Sequence, residues 1–272
     1  MNTHFNNYNT IMKTIQKGLL LLISTFLFVS ANAQDCPSFL KKQFTASNGQ
    51  KLNYRIQYPL HMTEGVKYPI LFFLHGAGER GDDNQAQLLH GGTLFTNYAQ
   101  RKDFKAIIIA PQCPTDLKWS NYQTPLDHHE RAYPYHQAPS QIGRALNELM
   151  QSYLHKDYTD LSRIYIAGLS MGAMGSYDFV LRYPKRFAAC TAICGGANLK
   201  MLKEFKGKTA FRIFHGAQDQ TVDPKFGRNA YQTLKESGKN VSYKEYPNDN
   251  HNSWDSAFNE TDFLSWFLQF QL

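Results

Sequence analysis

Five short runs of apolar residues constrain this 272-residue chain more than any other feature. They are Pro69–Leu74 (PILFFL), Ala106–Ala110 (AIIIA), Arg163–Ala167 (RIYIA), Ala188–Ile193 and Ala210–Phe214 (AFRIF). Runs of five or six residues rich in Ile and Phe suit strands covered on both faces, which is the condition of a parallel sheet. Helical patterns fall between and after them over Ser140–Leu154, Ser170–Arg182, Pro224–Ser237 and Ser253–Phe270. Val241–Tyr246 alternates and reads as a strand nearer an edge. Phe39–Thr45 and Leu52–Tyr58 flank Ser47-Asn48-Gly49-Gln50, a hairpin signal. The expected class is therefore α/β: one domain, a mostly parallel central sheet with helices on both faces, and an N-terminal antiparallel hairpin.

The first 33 residues stand apart. Lys13 and Lys17 precede the apolar Gly18–Val29, and Ala31-Asn32-Ala33 supplies the small residues of a cleavage site. Residues 1–33 read as an export signal and residues 34–272 as the folded domain. The apolar run is shorter than the ~20 residues of a spanning helix, so no stable membrane span is expected after cleavage. Asp35 is large and charged where a lipidation signal at Cys36 would want a small residue. Loss of the leader removes two lysines and no acid, lowering the net charge from +7 to +5. The basic residues form no run of five or six, so nucleic acid is not an expected partner.

An exported chain meets an oxidising compartment, which raises the question of disulfides among Cys36, Cys113, Cys190 and Cys194. Cys190 and Cys194 read as parts of one strand, where four residues span ~13 Å, beyond disulfide reach. Any bridge must use Cys36 or Cys113, and four reduced cysteines are equally compatible with the sequence.

Four motifs follow strand ends, where an open α/β sheet places its site. Gly168-Leu169-Ser170-Met171-Gly172 sits between RIYIA and a helical pattern. Strand, sharp turn and helix are what an exposed nucleophilic serine at a helix N-terminus requires. Ser170 is the candidate nucleophile. His75-Gly76-Ala77-Gly78-Glu79-Arg80-Gly81 follows PILFFL. It lacks the Gly-Lys-Ser/Thr ending of a phosphate loop. Its glycines admit a close backbone approach, and the Ala77 and Met171 amides are the candidate oxyanion donors. Glu79 and Arg80 are expected to pair, and His75 to organise the loop. His215-Gly216-Ala217-Gln218-Asp219 supplies a carboxylate at Asp219. Asp223 is its rival, although an Asp before Pro224 reads more simply as a helix cap. Asp249-Asn250-His251-Asn252 places His251 in a polar loop after the last strand. Ser170, Asp219 and His251 then stand in the order nucleophile, acid, base.

Taken in order, FLHGAGERG, APQCP, GLSMGAMGSYD, HGAQDQTVDP and NHNSWDSAF resemble the α/β-hydrolase superfamily. More narrowly they resemble secreted esterases of the phospholipase/carboxylesterase, feruloyl-esterase and polyhydroxybutyrate-depolymerase-like group, over about residues 40–270. The resemblance implies a serine hydrolase acting on small-molecule or polymer-linked carboxylic esters without metal or cofactor. A serine peptidase and a non-catalytic carbohydrate-binding scaffold are the alternatives. The Gly195–Thr209 connection is too short for a lid domain. The longer Gln112–Pro139 connection is aromatic-rich. Trp119 and Tyr122 within it, and Trp254 beyond it, are candidates to contact substrate, with packing over the sheet edge as the competing role for the loop. His128-His129-Glu130 lacks a matching ligand cluster, so no metal is expected.

Overall fold

The computed structural model describes residues 38–122, 133 and 135–272. The expected leader, Cys36 and the His128-His129-Glu130 run lie outside the described residues. Eight strands form one sheet: β1 (Leu40–Thr45), β2 (Lys51–Gln57), β3 (Tyr68–Leu74), β4 (Ile107–Pro111), β5 (Thr159–Leu169), β6 (Ala189–Ile193), β7 (Ala210–Gly216) and β8 (Val241–Tyr246). The helices are α1 (Gly92–Thr96), α2 (Tyr98–Arg101), α3 (Gln141–Leu154), α4 (Met171–Arg182), α5 (Leu199–Glu204), α6 (Lys225–Glu236) and α7 (Trp254–Phe258). Spatial order across the sheet is β1-β2-β4-β3-β5-β6-β7-β8. From β4 to β8 every pairing is parallel. The β1–β2 hairpin joins antiparallel to β4. Its turn closes through Ala46 and Gly49, the latter at φ 80°, a conformation that favours glycine.

The apolar runs conceal an alternation that the sheet resolves. Ile70, Phe72 and Leu74 of β3 enter one core, while Leu71 and Phe73 enter the other. Ile107 and Ile109 of β4 likewise part from Ile108 and Ala110. Successive strand side chains face opposite sides, so a strand between two helical layers must be apolar at every position. The first core meets Ile142, Leu146 and Leu149 of α3, Tyr177 and Val180 of α4, and Leu234 of α6. The second is closed by Phe95, Phe104, Phe263 and Phe267. β8 is one of the two edge strands, paired among the described residues only with β7, and its exposure alternates.

The helix expected over Ser253–Phe270 is broken. α7 ends at Phe258, and a 3-10 turn spans Ser265–Gln269. On one regular helix, Phe258 and Phe263 would project about 140° apart. The break brings their rings to 5.3 Å, on the same core. Burial of both aromatic rings thus overrides continuous helix. Between β6 and β7 lies the six-residue α5 and no larger element. Cys113, Cys190 and Cys194 are buried and unbridged.

Candidate active site

The C-terminal ends of β3, β5 and β7 and the loop after β8 converge on one site. Ser170 occupies the turn between β5 and α4 with φ 51° and ψ −116°, a strained backbone for a residue with a side chain. Two close approaches hold it there. A Cβ on Gly172 would stand 1.9 Å from Leu74 O, and one on Gly168 would stand 2.3 Å from Gly172 O. Ser170 N donates to Ile193 O at 2.8 Å, tying the turn to β6.

His251 joins the serine to the acid. Its Nε2 lies 2.9 Å from Ser170 Oγ, and its Nδ1 lies 2.7 Å from Asp219 Oδ2. The chain that carries it is laced to the β7 loop. Gln218 N donates to Asp249 O, and Asn250 Oδ1 accepts from the amides of Gln220 and His251. Gly216 allows the two segments to touch, since a Cβ there would meet Asn250 O at 2.2 Å.

Asp219 is buried and surrounded by donors. Its Oδ1 accepts from the Thr221 and Val222 amides at 2.8 Å each. Its Oδ2 faces both His251 and His215, the latter at 3.2 Å. Burial alone would push this carboxyl up, but the hydrogen bonds from His215 and His251, aided by the His251 charge and the Val222 amide, outweigh it. Together they hold the carboxyl well below the usual carboxylate range. Asp223, the rival acid, accepts from Lys225 N at 2.8 Å and caps the start of α6.

The Met171 amide opens α4, and the Ala77 amide opens the 3-10 turn Ala77–Glu79. The first N–H groups of a helical turn have no acceptor within it, so both are free of intrahelical bonding beside the serine. His75 organises this loop. It is buried, its Nδ1 meets Gly76 O at 2.6 Å, and its Nε2 accepts from Cys113 N at 2.9 Å. Burial, reinforced by the Arg80 charge and opposed by the Gly76 bond, lowers its pKa to about 4. The expected Glu79–Arg80 pair is replaced by other contacts. Arg80 Nε donates to Ala77 O at 2.9 Å, while buried Glu79 faces His90 at 3.5 Å.

The three candidate substrate contacts fare differently. Trp119 is fully buried and donates through Nε1 to His75 O at 3.1 Å. Stacking on a substrate is closed to it, because its indole face is inside the first core. Tyr122 is 7% exposed and packs with Tyr133 at 6.3 Å. Trp119 and Tyr122 therefore pack into the first core, whereas Tyr135 of the same loop is exposed and donates to Glu204. Trp254 is half-buried at the site itself, edge-on to His251 at 5.5 Å and tilted against His90 at 4.9 Å.

Three neighbours of the site carry no sequence signal that singles them out. Cys194, just past β6 at φ 45°, brings its sulfur within 4.8 Å of the polar atoms of Asp219 and His251. His215 and His90 precede Asp219 in sequence, and only the fold brings His215 to Asp219 and His90 to Glu79 and Trp254.

A sequence model described as phospholipase/carboxylesterase matches residues 63–268. A crystallised thermostable esterase superposes with a TM-score of 0.77 at 30% identity, over 86% of this chain and 63% of its own. A ferulic acid esterase from the anaerobic fungus Anaeromyces mucronatus superposes with a TM-score of 0.63 at 18% identity, over 88% of this chain and 94% of its own. An uncharacterized secreted protein of Arthroderma benhamiae is 23% identical, over 76% of this chain but only 23% of that longer protein. The chain thus spans less than two thirds of the thermostable esterase and about a quarter of the fungal secreted protein.

Proposed function

Since the chain belongs to the phospholipase/carboxylesterase family, we propose that it hydrolyses carboxylic esters through an acyl-Ser170 intermediate. The reading rests on the hydrogen-bonded line from Asp219 through His251 to Ser170, at 2.7 and 2.9 Å. His251 Nε2 takes the Ser170 proton as Oγ attacks the ester carbonyl. The carbonyl oxygen becomes an oxyanion and is received by the Ala77 and Met171 amides. His251 then gives its proton to the departing alcohol. Water, activated by the same imidazole, releases the acid and restores the serine. Asp219 fixes the imidazole tautomer and stabilises its charged form without taking a proton.

Replacement of Ser170 by Ala should abolish hydrolysis of p-nitrophenyl acetate in a spectrophotometric assay. Wild-type rates in that variant would exclude the acyl-serine mechanism. A panel of short-acyl, long-acyl, feruloyl, acetyl-xylan and peptide substrates separates the simple esterase from a polysaccharide-directed esterase and a peptidase. Residues 1–33 are proposed to direct export. Among the described residues no helix is long and apolar enough to cross a membrane. Mass spectrometry of protein expressed with its leader should find Gln34 at the mature N-terminus; an intact leader on exported protein would overturn the cleavage site.

A further inference from the structure

His215 is the penultimate residue of β7, four residues before Asp219, and is fully buried. Its Nε2 lies 2.8 Å from Val222 O and 3.2 Å from Asp219 Oδ2. A backbone carbonyl and a carboxylate can only accept, so the ring proton sits on Nε2 and is shared between them. The carboxylate oxygen that holds the base therefore receives two imidazole N–H groups, from His251 Nδ1 at 2.7 Å and from His215. Its sister oxygen receives two backbone amides.

The other edge of the His215 ring makes no hydrogen bond. Nδ1 is buried without a partner and lies over Gly227 of α6, where a Cβ would stand only 2.6 Å from it. A buried ring nitrogen left unpaired costs free energy. Packing against α6 thus fixes the ring in depth, while Nε2 alone spends its hydrogen-bonding capacity on the acid and its turn. A purely structural residue under β7 would fill the same space as an apolar side chain, with no such orphaned atom.

We propose that His215 is a positioning residue for the ester-hydrolysing site. It is a second imidazole that fixes the orientation of Asp219 Oδ2, so that His251 keeps Nε2 aimed at Ser170. The inference rests on the acyl-serine reading above. The contrary view is that His215 only ties the 216–222 turn through Val222 O.

The test compares His215→Gln, His215→Asn and His215→Ala in the full chain, with Ser170→Ala as control and p-nitrophenyl acetate as substrate. A glutamine amide reaches to about the Nε2 position, whereas an asparagine amide stops near Nδ1. The Ala and Asn variants should lose roughly ten- to a hundredfold in kcat, with KM within about twofold, because a small misplacement of a catalytic group costs rate rather than binding. Labelling of Ser170 by a fluorophosphonate should slow in parallel, and His215→Gln should recover most of both rates. Folded His215→Ala with wild-type kcat overturns the inference. Equal kcat in the Gln and Asn variants overturns it too, and this comparison suffices if the Ala variant does not fold. An inactive Ser170→Ala beside fully active His215 variants refutes the positioning role alone; an active Ser170→Ala refutes the acyl-serine reading beneath it.

Discussion

At the scale of single residues, two aspartates four positions apart have separate tasks. Asp219 faces His251, and Asp223 caps α6. Asp219→Asn should lower kcat on p-nitrophenyl acetate by about 10⁴-fold, because an amide cannot hold the productive imidazole tautomer. Asp223→Asn should stay within a few-fold of wild type in the same assay, since asparagine also caps helices. His75 carries a different prediction. Burial lowers its pKa to about 4, so the folded chain refuses a proton that the unfolded chain accepts near 6.5. Its contribution is complete above about pH 6.5 and is lost as pH falls towards 4, amounting to about 3 kcal/mol over that window. Urea midpoints at pH 7.5 and 4.5 should show this loss in wild type and a smaller one in His75→Gln, which keeps an acceptor for the Cys113 amide. Equal losses in the two proteins would remove His75 from the account. Motif order made Ser170, Asp219 and His251 the candidates, with Asp223 as a rival to Asp219, because each motif lies at a strand end. The burial of Trp119 was not legible in this way, because a tryptophan in a long loop looks the same whether it faces solvent or the core.

At the scale of elements, the turn between β5 and α4 is the most constrained. Gly172→Ala would drive a Cβ to 1.9 Å from Leu74 O, with backbone rather than a movable side chain in the way. The expected outcome is loss of soluble protein, or a melting temperature lowered by more than 10 °C with esterase activity gone. A variant with wild-type melting and activity would show that β3 can yield at this point. Gly78→Ala is a useful comparison, as nothing lies within 4 Å of a Cβ there. It should melt as wild type does. Strand positions were legible from the apolar runs, with β5 extending further at both ends than its apolar centre. The end of the chain was not, because the helical pattern after Ser253 gives no weight to where Phe258 and Phe263 must go. The two rings settle on one core only when the helix between them breaks.

At the scale of the whole molecule, two cores on opposite faces share the strands between them. The second core is closed by the C-terminal segment, with Phe263, Leu264 and Phe267 fully buried against it. Truncation after Asp262 would remove Phe267 from Tyr165 of β5 and Phe263 from Phe214 of β7 at once. Burying one large apolar side chain contributes about 1.5–3 kcal/mol, so losing three removes a large part of the roughly 5–15 kcal/mol that keeps a domain folded. The truncated chain should be insoluble or lack a cooperative thermal transition; a soluble, cooperatively melting product would refute this. The sequence by itself determined the class of fold and the chain order of the motifs that carry Ser170, Asp219 and His251. Both follow from local patterns: apolar runs that only a doubly covered strand can use, and Gly-rich turns that only a strand end can use. The tertiary structure alone decided the strand order, which places β4 between β2 and β3. It also decided which of two aspartates meets the base, that Glu79 turns to His90, and that His215 shares the acid. Those choices depend on contacts between segments far apart in the chain, where packing and the pairing of buried polar groups set the partner and sequence distance does not.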